Sequence, residues 1–120
     1  LADESVSIFS TLFAAPHPWR ARALRMSALV ALSAGDMDIA NAQRELAAAE
    51  AAAVFAENHP LRAQLALDRA DAAMRAGNRD AARLALVPAL VTLRACCLAT
   101  EIDRARAEII ARDLGLPAAQ

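Results

Sequence analysis

Two uncommon landmarks recur at one fixed spacing along these 120 residues, and that spacing constrains the fold more than any other feature. His17-Pro18 returns as His59-Pro60 and Gly35 returns as Gly77, each 42 residues on (59 − 17 = 77 − 35 = 42). In the same register Arg20 meets Arg62 and Asp38 meets Asp80. Seven alanines (Ala21, Ala28, Ala31, Ala34, Ala40, Ala47, Ala53) meet Ala63, Ala70, Ala73, Ala76, Ala82, Ala89 and Ala95. Because 34 residues of the chain are alanine, the weight lies on the His, Pro, Gly and Asp matches. A period of this length marks an array of one supersecondary unit, each copy burying its apolar face against the next.

The punctuation of the unit is helical. Proline suits the first turn of a helix, where its missing N–H would have no intrahelical partner, and glycine suits the left-handed residue that ends one. This predicts a first helix over about Pro18 to Ala34 and Pro60 to Ala76, a tight Gly35-Asp36 or Gly77-Asn78 turn, and a second helix from near Asp38 or Arg79. Asp38 and Asp80 are placed to complement the positive helix N-terminus. Ile39, Ala42, Leu46, Ala49, Ala53 and Phe55 are expected to turn toward neighbouring helices in the first unit. Leu84, Leu86, Val87, Leu90, Val91 and Leu93 are expected to do so in the second. Pro88 should kink or break that last helix near Leu84 to Val87. Residues 101–114 predict a further helix with Ile102, Ala105, Ile109 and Leu114 on one stripe, ended by Gly115 and Pro117.

The domain organisation that follows is a single helical-repeat domain over 1–120. Residues 1–16 are the end of a preceding second helix, 17–58 the first repeat, 59–100 the second, and 101–115 a terminal capping helix. A chain opening on Leu1 and on the tail of a helix reads as an excised part of a longer polypeptide.

Composition narrows the function classes. All 13 basic residues are Arg and face 14 acidic ones, for a net charge of -1. The two signs are intermixed, so no field collects nucleic acid or anionic lipid. The longest uncharged stretch, Leu84 to Leu93, is far short of the ~20 residues a membrane span requires, and a cytoplasmic protein is expected. Cys96 and Cys97 are adjacent and are read as small apolar residues on a helix. No catalytic constellation, metal-ligand pattern or cofactor motif stands out. His17 and His59 lie a full repeat apart at helix starts, Glu45, Glu50 and Glu57 read as a solvated face, and Trp19 reads as a packing residue.

Gly35-Asp36-Met37-Asp38-Ile39-Ala40 and Gly77-Asn78-Arg79-Asp80-Ala81-Ala82 resemble the turn of the tetratricopeptide repeat. There a Gly is followed five residues later by a small residue. Ala28 and Ala70, seven before the Gly, and Ala47 and Ala89, twelve after it, stand where that family makes its close helix contacts. The period is similar to the longer repeats of kinesin light chains and related bacterial arrays. The likeness spans about residues 17 to 100. It departs at Ser27 and Arg69, where a large apolar residue is usual, and at Met37 and Arg79, where an aromatic is.

The resemblance implies an all-α fold, an α-solenoid of antiparallel helical hairpins in a right-handed superhelical stack. It implies a protein-interaction or scaffold module of a larger regulatory or signalling protein, one that binds a protein or peptide in a concave groove lined by the first helices. By that likeness the groove carries Arg22, Arg25, Met26 and Leu29 from the first unit, and Gln64, Leu67, Asp68 and Asp71 from the second, with Arg106 extending it. Arg22 and Arg25 suit a carboxylate or phosphate; the plainer reading is a solvated face paired to Asp68 and Asp71. The asparagines used by chaperone-tail and kinesin light chain grooves are absent. The alternative is structural self-association, a homodimer through an edge formed by Ile8, Phe9, Leu12 and Phe13.

Overall fold

The computed structural model describes residues 17–95 and 101–118. The expected helix over residues 3–14, the edge at Ile8, Phe9, Leu12 and Phe13, and Cys96-Cys97 lie outside the described residues. What is described is all helical, with no strand among the described residues. The chain forms two compact units, residues 1–57 and 58–120.

The first unit contains a hairpin of α1 (Pro18–Ser33) and α2 (Met37–Val54). Both ends of α1 are capped by residues of the repeat. Nδ1 of His17 accepts the Trp19 N–H at 3.2 Å, so the ring does the work a Ser or Asp oxygen usually does at that position. At the other end Gly35 takes φ +81°, the Asp36 N–H donates to the Ala31 carbonyl at 2.9 Å, and the Gly35 N–H donates to Leu32 at 3.0 Å. This is the Schellman closure, which satisfies carbonyls the helix leaves unpaired. Asp36 then caps α2 by accepting the Ile39 N–H at 3.4 Å.

The second unit repeats this logic and adds a helix. α3 (Pro60–Arg75) and α4 (Arg79–Ala95) form the hairpin, and α5 (Glu101–Asp113) packs against both. His59 Nδ1 accepts from Leu61 at 3.1 Å. Gly77 takes φ +77°, the Asn78 N–H donates to Ala73 at 2.9 Å, and Asn78 Oδ1 accepts from Ala81 at 3.1 Å. Gly115, 38 residues after Gly77, closes α5 in the same way through the Leu116 N–H on Ala111.

The buried faces are partly those expected and partly not. Four of the seven alanine pairs in the 42-residue register are buried at both members: Ala21 and Ala63, Ala28 and Ala70, Ala40 and Ala82, Ala47 and Ala89. A methyl-sized side chain on both surfaces lets two helix axes approach closely, and the repeat preserves that approach. Bulk is a poor guide here. α2 buries Ala40, Ala47 and Ala51, whereas Ile39, Ala42, Leu46, Ala49 and Ala53 face outward, contrary to expectation. In α4 the expected set divides: Leu86, Leu90 and Leu93 enter the core, while Leu84, Val87 and Val91 remain exposed. In α5 Leu114 is buried as expected, but Ile102, Ala105 and Ile109 are exposed, and Ala107, Ile110 and Ala111 face the hairpin.

Pro88 does not break α4, which runs from Arg79 to Ala95. The proline is on the exposed face, next to Leu84, itself 80% exposed. The Leu84 carbonyl loses its helical donor on the side where water can replace it, so the helix persists.

Candidate functional site

The residues picked out on the first helices lie in both units. In the first, α1 presents Trp19, Arg22, Met26 and Val30 at spacings of three, four and four residues, one stripe of a helix. Trp19 is 56%, Met26 58% and Val30 56% exposed, and Arg22 is exposed between them. The buried stripe of the same helix, Ala21, Leu24, Ser27 and Ala28, lies opposite, so the outward face follows from the inward one. Arg25 and Leu29 are half-buried beside it.

Trp19 is therefore a surface residue rather than a packing one. The Arg22 guanidinium carbon is 5.3 Å from its ring centroid and 5.5 Å from that of Phe55, which caps the end of α2. Two aromatic faces hold one cation at the open end of the hairpin. Below them Glu50 pairs with Arg20 at 2.5 Å and accepts the His17 N–H at 3.3 Å, so Glu50 ties α2 to the start of α1 instead of belonging to a solvated face. Ser27 is buried and donates to Gln43 Oε1 at 2.7 Å, a polar link between α1 and α2 where the resembled family has a bulky apolar residue.

In the second unit the structure brings together Gln64, Asp68, Asp71 and Arg106. Gln64, Asp68, Asp71 and Arg75 form one stripe of α3, at spacings of four, three and four residues. Arg106 reaches from α5 to Asp68 at 3.3 Å and Asp71 at 3.0 Å, and also contacts Asp103 on its own helix at 3.4 Å. Gln64 donates to Asp103 at 2.8 Å, and Arg75 pairs with Asp71 at 3.3 Å. Asp68 and Asp103 are buried. Burial works against the Arg106 charge, but the hydrogen bond to Asp71 and the nearby charges of Asp68 and Asp71 outweigh it and hold the guanidinium above its ordinary pKa. Leu67, expected on the groove floor, is instead fully buried in the core with Leu86 and Leu93.

Asp103 was not among the expected residues, although Asp103-x-x-Arg106 at helical spacing, facing an α3 stripe rich in acids, carries the signal. The bidentate pair of Arg94 with Glu108, at 2.6 and 3.0 Å, was likewise unexpected. It holds Glu108 below the usual carboxylate range through the Arg94 hydrogen bond, against a smaller opposing effect of burial. Arg79 and Arg83 donate to the carbonyls of Asp113 and Leu114, Arg83 at 2.8 Å, and Arg94 donates to Pro117 at 2.9 Å. Cations from α4 thus cover the negative end of α5.

Among the described residues no group of three or more His, Cys, Asp or Glu is arranged to hold a metal ion. No helix there is long and apolar enough to cross a membrane. Set beside known proteins, the chain matches no family model, no curated protein and no solved structure.

Proposed function

We propose that the chain is a tetratricopeptide-like helical-repeat scaffold that holds a protein partner on the outward face of its first helices. The observation that carries the reading is the α1 stripe of Trp19, Arg22, Met26 and Val30. Three large apolar side chains and one cation on a single rigid helix face form an exposed patch of the kind that marks protein contacts. The repeat reading is supported by the shared caps, left-handed glycines and buried alanine pairs of the two hairpins, all in the 42-residue register. The partner segment would place apolar side chains over Met26 and Val30 and a carboxylate near Arg22.

The test is capture of partners from a lysate of the source cells by the immobilised chain, compared with an Arg22→Glu/Met26→Asp variant. Both positions are exposed, so the variant keeps the helical circular dichroism of the parent while losing the partner. An unchanged set of captured proteins would remove this face from the proposal.

A further inference from the structure

The outward face of α2 carries a second pattern. Ile39, Ala42, Leu46, Ala49 and Ala53 recur at alternating spacings of three and four residues, all exposed, with Ile39 at 48% and Leu46 at 57%. A three-four alternation over two full heptads is the spacing of a coiled-coil seam, and alanine at alternate places permits close approach of a second helix. The core of the hairpin does not use this stripe, since Ala40, Ala47 and Ala51 lie on the opposite side.

The charges beside the stripe decide what can occupy it. Asp38 and Glu45 flank it on one side and Glu50 on the other, while Arg44, the one cation of α2, lies diametrically opposite and bonds Asn41 at 2.8 Å. A second copy of the chain fits poorly. Antiparallel self-pairing about Leu46 sets Glu45 against Glu45 of the other copy, and parallel self-pairing sets Glu45 against Glu50, like charges in both cases.

We infer that this face docks an amphipathic helix of a different protein, one with small and branched apolar residues on its seam and Lys or Arg along its flanks. The occupant is set by charge complementarity with Asp38 and Glu45, and the seam by Ile39 and Leu46. This surface is separate from the α1 stripe and stands or falls independently of it.

The experiment uses the full chain and two labelled synthetic helices with Leu and Ala at the seam positions, one with Lys and the other with Glu at the flanking positions. Fluorescence anisotropy is expected to show the Lys helix binding about tenfold or more tighter than the Glu helix. Leu46→Asp abolishes binding, and Asp38→Lys with Glu45→Lys reverses the preference. Met26→Asp, on the α1 stripe, leaves it unchanged. These four positions are exposed, so circular dichroism keeps its helical form. Binding by neither peptide, equal binding of both, or a concentration-dependent dimer that Leu46→Asp dissolves would each overturn the inference.

Discussion

At the residue scale the hairpins are set by a few backbone-determining positions. Gly77 sits at φ +77° with nothing within 4 Å of the place a Cβ would occupy, so a substitution there costs conformational energy and no clash. Gly77→Ala is expected to lower stability by about 1 kcal/mol, read as a shift of the urea midpoint with unchanged slope. Pro88 offers the opposite case. Pro88→Ala returns a donor to the Leu84 carbonyl on the exposed side of α4 and is expected to raise stability by about 1–3 kcal/mol, measured in the same titration; a loss would mean that the proline ring makes a contact the helix needs. Both effects were legible in outline from residue type. What was not legible is that His17 and His59 cap helices through Nδ1, and that Asp36 and Asn78, rather than Asp38 and Asp80, accept the orphan N–H groups of the second helices. Histidine is an uncommon cap, and a one- or two-residue difference at a helix start changes which oxygen points back along the axis.

At the element scale α5 is held by polar bonds as much as by its small apolar face. Removing the Arg106 charge leaves Asp68 and Asp103 buried without their cation, so Arg106→Gln is expected to cost about 3 kcal/mol, seen as a lower thermal midpoint with α5 the first helix to lose amide protection. Glu108 gives this docking a pH dependence. Its pKa in the folded chain is lowered by Arg94, so the pair contributes stability at pH above the unfolded carboxylate value of about 4.3 and loses it as pH falls through the folded value. Glu108→Gln should therefore flatten the acid limb of stability against pH, and an identical limb in parent and variant would remove Glu108 from its cause. The pair is partly exposed, so its share is small, under about 1 kcal/mol. Nothing in a single chain read linearly joins Arg94 to Glu108, or Asp68 to Arg106, because those partners meet only when α5 folds back on its hairpin.

At the scale of the whole molecule the two units differ in how they are filled. The described core of the first is Ala21, Leu24, Ala28, Ala40, Ala47 and Ala51, nearly all methyl groups. The second buries Leu67, Leu86 and Leu93 completely, along with Leu90, Ile110 and Leu114. A fully buried Leu adds about 1.5–3 kcal/mol over an exposed one, so native-state hydrogen exchange is expected to be slower in α3 and α4 than in α1 and α2. Equal protection would show that the first unit draws stability from outside this core.

The sequence by itself determined the period, the helical hairpins, the glycine turns and the near-boundaries of five helices, because proline, positive-φ glycine and helix propensity act within a few residues of where they stand. Tertiary structure alone decided which face of each helix is buried. In a chain so rich in alanine, helices pack through their smallest side chains, and the bulky residues of α2, α4 and α5 that periodicity assigned to the core are left on the surface. The same packing carried Arg106 to Asp68 and Asp71 and set Arg22 between two aromatic rings, contacts that depend on distances no local rule of sequence encodes.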